Sequence, residues 1–437
     1  MDNDKMRKGS FGRALEVGKL GAGIANSYFG YLLQSAFLGK EARKEKLKAT
    51  NQRVGTQLRD ELQDLRGPLM KIGQALSMQS HALPEELIQE LSKLQMQAPG
   101  MHSSLMRVQF KNALGKDAEE VFKEFDPQPF AAASLGQVHR ATTRKGEEVA
   151  VKIQYPGIRN VVENDFKMLK TASRPARLSG HITKTFLDEL AAGILQETDY
   201  RNEAKNIEYF NQHVRGLGYV RMPKVYRELS SETVMTMSFV RGEHLDRWLA
   251  RNPTQEERNR IGANLMDMFY YQLLKLHAIH ADPHSGNYLF GSNGMIGLVD
   301  FGCVKYLSAD NVRVFSSLFM FQDSLDSAAY VKGIRKLYAA SGLEATPKAI
   351  QVVKEFGQLY RSMFPPDPRD EGRLVDFGDS AFLKKLYEKS QSLMVHKGLL
   401  PDLLFVMRAE GGLYNTLHKL AAKIPSSRIV RKYLKDA

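Results

Sequence analysis

The sequence predicts an α+β protein in which strands gather in one region and helices build most of the rest. Two observations carry this. The runs GQVHRATT and EEVAVKIQY, between residues 121 and 155, are β-type stretches joined by the turn signal Arg144-Lys145-Gly146. Beyond residue 242 apolar positions recur at helical spacing, apart from a loop-and-hairpin region at 280–303.

The elements follow in order. Residues 41–98 read as helices, with apolar side chains at Leu58, Leu62, Leu65 and Leu69 and again at Leu87, Leu91 and Leu94. Pro84 with Glu85 and Glu86 marks a helix start, and Pro99-Gly100 a stop. Helical spacing returns over 157–215. KVYRELS and ETVMTMSFV, parted by Ser230-Ser231 and ending at Arg241-Gly242, read as a second pair of strands. The expected organisation is an N-terminal helical segment (1–54), a helical extension (55–120), a strand-bearing lobe (121–241) and a helical lobe (242–437).

Hydrophobic residues make up 43% and charged residues 25% of the 437, the balance of a folded globular chain. One cysteine, Cys303, excludes an internal disulfide and a zinc site built from several thiolates. It fits a cytoplasmic protein, or one at a membrane surface facing a reducing compartment. The net charge of +13 suits polyphosphate, an anionic membrane surface, or solubility alone. No dense Lys/Arg block with interleaved aromatics is present, which argues against nucleic acid. The twenty uncharged residues from Leu20 to Gly39 have the length of a membrane span. Asn26, Ser27, Gln34, Ser35 and four glycines make that stretch too polar for one, so a helix lying on a membrane or on the protein's own body is expected. The basic run Lys40–Lys48 suits anionic headgroups or a solvated helix face. Nothing in the sequence specifies an oligomeric state.

The chemistry concentrates in IHADPHSGNYLF and IGLVDFGCVK. Asp282 and Asn287 stand five apart, and Asp300-Phe301-Gly302 begins thirteen residues after the asparagine. This is the spacing of a kinase catalytic loop, D-x-x-x-x-N, followed by the metal-binding D-F-G. Phosphoryl transfer needs a divalent cation to neutralise phosphate charge, and hard cations take oxygen ligands. The Asn287 amide and the Asp300 carboxylate supply such oxygens, and Asp282 suits the attacking hydroxyl or water. The apolar IGLV reads as a strand ending at Asp300. Lys152, in EEVAVKIQY, stands where the kinase strand V-A-I-K carries its phosphate-contacting lysine, and Glu203 on a following helix is its candidate partner. These motifs resemble those of protein kinases, and the resemblance implies a protein-kinase-like bilobal α+β fold.

Further motifs are interleaved with these: Met70-Lys71-Ile72-Gly73-Gln74 (K-x-G-Q), Ala131-Ala132-Ala133-Ser134, Glu197-Thr198-Asp199 (E-x-D) and HADPHSGN. In this order they resemble the UbiB/AarF atypical kinases over about residues 55–310. The resemblance implies ATP and Mg²⁺ as cofactors. It implies Lys152 and Glu203 as the phosphate-positioning pair, Asp282 as the catalytic aspartate, and Asn287 and Asp300 as metal ligands. Ala132, Ala133 and Ser134 then form an alanine-rich loop over the phosphates, and Ser238, Phe239, Val240 and Arg241 the segment contacting adenine. Lys71 and Gln74 lie over the active site on the helical extension, with Lys71 facing Glu197 of the motif that also holds Asp199. The implied function is ATP hydrolysis or phosphoryl transfer in ubiquinone or other prenyl-lipid metabolism, with a prenyl lipid or quinone precursor as partner. A nucleotide-dependent scaffold for lipid-biosynthetic enzymes, or a protein kinase acting in trans, are the alternatives.

Three departures separate the chain from ordinary kinases. FAAASLGQV stands where G-x-G-x-x-G is expected, and its methyl groups restrict close approach of phosphate to backbone N–H groups. Ala281 replaces the catalytic-loop arginine, and no A-P-E follows the DFG. His280 and His284 are expected as packing residues, Cys303 as a small buried side chain, and the aromatics and methionines of 314–330 as core.

Overall fold

The computed structural model describes residues 38–65, 101–133, 135–172, 184–282, 284–319, 325–339, 344–364, 368–370, 372–385 and 401–434, with scattered positions between 23 and 35 and residues 86, 87 and 90. In chain order the first elements are helices α1 (Lys40–Leu65) and α2 (Ser103–Leu114), then strands β1 (Glu124–Ala133), β2 (Gly136–Thr142) and β3 (Glu148–Gln154). Helices α3 (Ile158–Ala172), α4 (Lys184–Glu197) and α5 (Tyr200–His213) lead to β4 (Val220–Arg221) and β5 (Val234–Ser238). Next come α6 (Leu245–Ala250), α7 (Gln255–Tyr271), β6 (Ala278–His280), β7 (Tyr288–Phe290), β8 (Ile296–Leu298) and β9 (Val304–Tyr306). Helices α8 (Ala309–Phe319), α9 (Ala328–Ala339) and α10 (Pro347–Met363), strand β10 (Val375–Asp376), α11 (Pro401–Lys419), β11 (Lys423–Ile424) and α12 (Ser426–Leu434) complete the chain. Contacts divide it into two compact units, Met1–Asn202 with Val225–Ser238, and Glu203–Lys224 with Phe239–Ala437.

The first unit is built on an antiparallel sheet of order β1-β2-β3-β5. The β-branched run of β3 is buried along almost its whole length, which is why EVAVKIQ reads as continuously apolar rather than alternating. Helix α2 packs its Met106–Phe110 face on this sheet. His102 caps its start by accepting from the Ser104 N–H, and Gly115 ends it at φ +74°, a left-handed conformation that glycine adopts without a Cβ penalty. Phe110, Phe122 and Phe125 meet at centroid distances of 5.9–6.0 Å between sheet and helix. Burying each such ring stabilises by about 1.5–3 kcal/mol.

One expected strand is absent. KVYRELS forms only an isolated bridge, Val225 to Met237, and then a 3₁₀ turn at Arg227–Leu229. Pro223 just before it has no N–H for a ladder. Ser230 Oγ takes the Thr236 N–H at 2.9 Å and donates to the Tyr226 carbonyl at 2.7 Å, so local side-chain bonds capture the backbone into the turn.

The second unit is mainly helical. Helix α7 opens on a capping box formed by Thr254 and Glu257 and packs against α11 and α12. Its last turn widens into a π-helical segment, Gln272–Leu276, before His277 turns the chain at φ +50° into β6. The Asp267 carboxylate on α7 accepts from the Tyr433 hydroxyl at 2.8 Å and from the Tyr219 hydroxyl, and pairs with Lys432. The Tyr219 carbonyl in turn takes the Ile296 N–H at 2.9 Å, so this cluster ties the C-terminal helix to β8. Sheet order β4-β8-β7 and the pair β6-β9 frame the 280–303 region, and β10 pairs with β11. Among the described residues no helix is long and apolar enough to cross a membrane.

Candidate active site

Lys152 is only 4% exposed, in the middle of β3 between Val138 on β2 and Met235 on β5. A buried ammonium is costly without compensation. Part of that comes from the Tyr200 ring, whose centroid lies 5.1 Å from the Lys152 Nζ. The alanine-rich segment is not a loop. Ala131, Ala132 and Ala133 are the last residues of β1 and pair with Val138, Gln137 and Gly136. Small methyl side chains allow this end of β1 to hug β2, and alternation along the strand turns Ala133 inward while Ala132 faces solvent. Ser134, like Lys71 and Gln74, lies outside the described residues.

Glu197 is the last residue of α4, and Asp199 stands at the entry to α5. The Asp199 carboxylate accepts from the Arg201 N–H at 3.0 Å and from the Arg201 guanidinium, the geometry of a helix N-cap. Between them the Thr198 carbonyl takes a 2.9 Å bond from the Gln154 side chain of β3. Ser238 closes β5 opposite Val149. Phe239 and Val240 follow half-buried, and Arg241 is exposed.

Glu203, Asp282, Asn287 and Asp300 all belong to the second unit. The Ala281 N–H donates to the Cys303 carbonyl at 2.9 Å, continuing the β6–β9 pairing to the threshold of the D-x-x-x-x-N loop. The loop closes through an Asx turn, Asp282 Oδ1 accepting from the His284 N–H, and a 3₁₀ turn at Ser285–Asn287. The Val299 N–H bonds the Asn287 carbonyl at 2.9 Å, which places Asn287 beside the residue preceding Asp300. Burial, with the Asp282 charge adding to it, pushes the Tyr288 phenol far above its usual range and keeps it protonated.

Asp300 adopts φ +63°, left-handed and unfavourable for a residue with a Cβ. Neighbours on every side hold it there. Glu203, 4% exposed, accepts the Phe301 N–H at 3.2 Å, and Asn206 donates Nδ2–H to the Phe301 carbonyl at 2.9 Å. His280 donates Nε2–H to the Asp300 carbonyl, and the Gly302 N–H closes back on Asp300 Oδ1 at 3.1 Å. The Phe301 ring is fully buried between Phe210 and His280, each at a centroid distance of 5.2 Å. His280 is thus a packing residue, as expected, and also fixes the DFG backbone. Asn206 and Phe210 were not singled out from sequence. Their signal is spacing, because positions three and seven after Glu203 share its helix face. Cys303 is half-buried rather than buried, since it sits where β9 emerges from the DFG turn.

Among the described residues no group of three or more His, Cys, Asp and Glu side chains could hold a metal. Magnesium does not need one, because it commonly takes one or two carboxylates and leaves other positions to phosphates and water. Asn287 points its Nδ2 toward the Asp282 carbonyl, which turns the amide oxygen away from it. That oxygen and the Asp300 carboxylate are a hard donor pair of the kind magnesium takes, so the residues fit the ion.

A strand lysine in the sheet unit, and a D-x-x-x-x-N loop beside a braced DFG in the helical unit, define a protein-kinase-like protein. The model of the ABC1 atypical kinase-like domain matches residues 93–332. The chain belongs to this family, the UbiB/AarF group its motifs resemble. It is 30% identical over 343 residues to the chloroplastic Activity of BC1 complex kinase 7 of Arabidopsis thaliana, covering 78% of this chain and 49% of that one. To the mitochondrial atypical kinase COQ8B of Danio rerio it is 31% identical over 397 residues, or 88% and 59%. A solved structure, the complex of Rv3197 with erythromycin from Mycobacterium tuberculosis, superposes with a TM-score of 0.62 at 25% identity, covering 90% of this chain and 98% of that one. The chain spans about half the length of the curated relatives it matches.

Proposed function

We propose that the chain binds ATP with Mg²⁺ and hydrolyses it or transfers its terminal phosphoryl group, in support of ubiquinone or other prenyl-lipid metabolism. The observation that carries this is the braced aspartate. Asp300 is kept in a left-handed conformation by Glu203, Asn206, His280 and Gly302, and such strain persists where a site needs one side chain aimed. In this reading Lys152, partnered by Glu203, holds the phosphates, and Asn287 and Asp300 hold the magnesium, which neutralises phosphate charge when bound. Asp282 accepts the proton of the attacking hydroxyl or water as the new phosphorus–oxygen bond forms and the bond to ADP breaks. Ala132, Ala133 and Ser134 cover the phosphates, and Ser238–Arg241 contact adenine. The relatives' names support the class, since they include an Activity of BC1 complex kinase and the atypical kinase COQ8B. A membrane-surface setting accords with the basic charge and the uncharged N-terminal stretch.

The test is Mg²⁺-dependent ATP turnover, measured with and without anionic liposomes and phenol-like quinone precursors. Turnover stimulated by both supports the reading, and no turnover with any of them overturns the enzymatic part. One observation favours a second reading, the non-catalytic scaffold: the alanine run is paired in a strand instead of forming an open phosphate cradle. Asp282→Asn retaining cellular function while Lys152→Ala loses it would select the scaffold.

A further inference from the structure

Tyr200 connects three features of the sheet unit that the motifs treat separately. Its N–H donates to the Glu232 carbonyl at 2.9 Å, just before β5. Two residues earlier the Thr198 carbonyl is held by the Gln154 side chain, two residues after Lys152 on β3. The start of α5 is therefore pinned to the two strands on whose ladder Lys152 lies. The ring, in a residue only 2% exposed, offers its face to the Lys152 ammonium at 5.1 Å. At the far end of the ring, the hydroxyl lies against Gly136, the first residue of β2 after the alanine-rich segment. A Cβ built on Gly136 would stand 2.8 Å from the Tyr200 hydroxyl and 2.2 Å from the Ile153 carbonyl oxygen. The glycine is needed there because the tyrosine and β3 already fill the space.

We propose that Tyr200 is a positioning residue that seats Lys152 against the alanine-rich hairpin and so sets the affinity for nucleotide phosphate, an inference that rests on the nucleotide reading of Lys152 above. The ring face stabilises the ammonium in a buried setting and fixes its direction. Its hydroxyl end, together with the Ile153 carbonyl, closes the space at Gly136 and so helps fix where β2 runs. Simple core filling would require only volume at this position, whereas seating a cation requires a π face.

The experiment is a double-mutant cycle on the full chain, with Mg-ATP affinity read by calorimetry and folding by thermal unfolding. Tyr200→Leu is expected to weaken Mg-ATP binding by about tenfold. Tyr200→Phe, which keeps the ring, recovers most of that loss. In a Lys152→Ala background, Tyr200→Leu produces no further loss, since the ring acts through the lysine. Should the leucine variant not fold, Tyr200→Met supplies a longer, flexible apolar side chain without a π face and reads the same cycle. The proposal is overturned if Tyr200→Leu binds as wild type, or weakens binding equally with and without Lys152. Unchanged binding in Lys152→Ala alone overturns instead the nucleotide reading of Lys152, and the inference with it.

Discussion

Replacing Asn206 by alanine removes two hydrogen bonds from one side chain. Its Nδ2–H binds the Phe301 carbonyl at 2.9 Å, and its Oδ1 accepts from the Tyr306 hydroxyl at 3.0 Å. The two losses are unequal. Tyr306 is 50% exposed, so its hydroxyl turns to water and the cost there is small. The Phe301 carbonyl sits beside a fully buried ring and has no such replacement, and an orphaned buried acceptor costs about 1–3 kcal/mol. The expected loss is therefore about 2 kcal/mol, concentrated at the DFG turn. By the conversion of about 1.4 kcal/mol per tenfold, amides of residues 300–306 should exchange with solvent roughly 30-fold faster. Hydrogen exchange read by mass spectrometry checks this peptide by peptide. Asn206→Asp, which keeps an acceptor for Tyr306 but cannot donate to Phe301, should behave as alanine does. Unchanged exchange over 300–306 in both variants would refute the claim that Asn206 braces the turn.

Three further outcomes follow from the same geometry. Burial pushes the Glu410 carboxyl up to about 7 from 4.5, opposed by bonds from the Tyr270 and Tyr414 hydroxyls at 2.5 and 2.6 Å. Because the folded state holds the proton more tightly, this contribution is complete below about pH 4.5 and is lost as pH rises through about 7, up to about 3 kcal/mol in all. Glu410→Gln should flatten the thermal midpoint across that window, and a variant keeping the wild-type slope would place the titration elsewhere. Gly136→Ala should fail to give a soluble, cooperatively unfolding protein, since its Cβ would stand 2.2 Å from a backbone oxygen, and wild-type stability would contradict the close approach. Phe210→Ala removes the ring that packs on Phe301 and should cost about 3–5 kcal/mol, seen as a lower unfolding midpoint and faster exchange at the DFG.

The β2–β3 hairpin was legible because its β-branched runs flank a Lys-Gly turn whose local bonds, such as the Glu147 N–H to the Thr143 hydroxyl, close the hairpin. The D-x-x-x-x-N and DFG motifs stood out because their residue types recur at a fixed spacing. Local side-chain chemistry was harder to read. Nothing in the pattern of KVYRELS announces that Ser230 Oγ will take the Thr236 N–H while the Thr236 hydroxyl donates to the Leu229 carbonyl. The alanines of 131–133 were expected as a loop by analogy with glycine-rich loops, yet alanine pairs comfortably in a strand edge where repeated glycine would not. Asp199 stood out as part of a family motif, and the structure adds an ordinary physical task for it, the capping of α5. Asn206, Phe210 and Tyr200 carry no signature in the sequence, because each is recognisable only by the neighbour it touches, the Phe301 carbonyl, the Phe301 ring and the Lys152 ammonium.

In the function proposed above, Asp300 is aimed to hold magnesium on bound ATP. Asp300→Asn keeps the size of the side chain and an oxygen that can accept the Gly302 N–H, so folding should be preserved while the anionic ligand is lost. Titrating Mg²⁺ against ATP binding in wild type and in this variant, with unfolding midpoints matched, is the most direct measurement. Mg²⁺ should strengthen ATP binding in the wild type, and Asp300→Asn should lose that Mg²⁺ dependence. The same Mg²⁺ dependence in both proteins would contradict this role for Asp300.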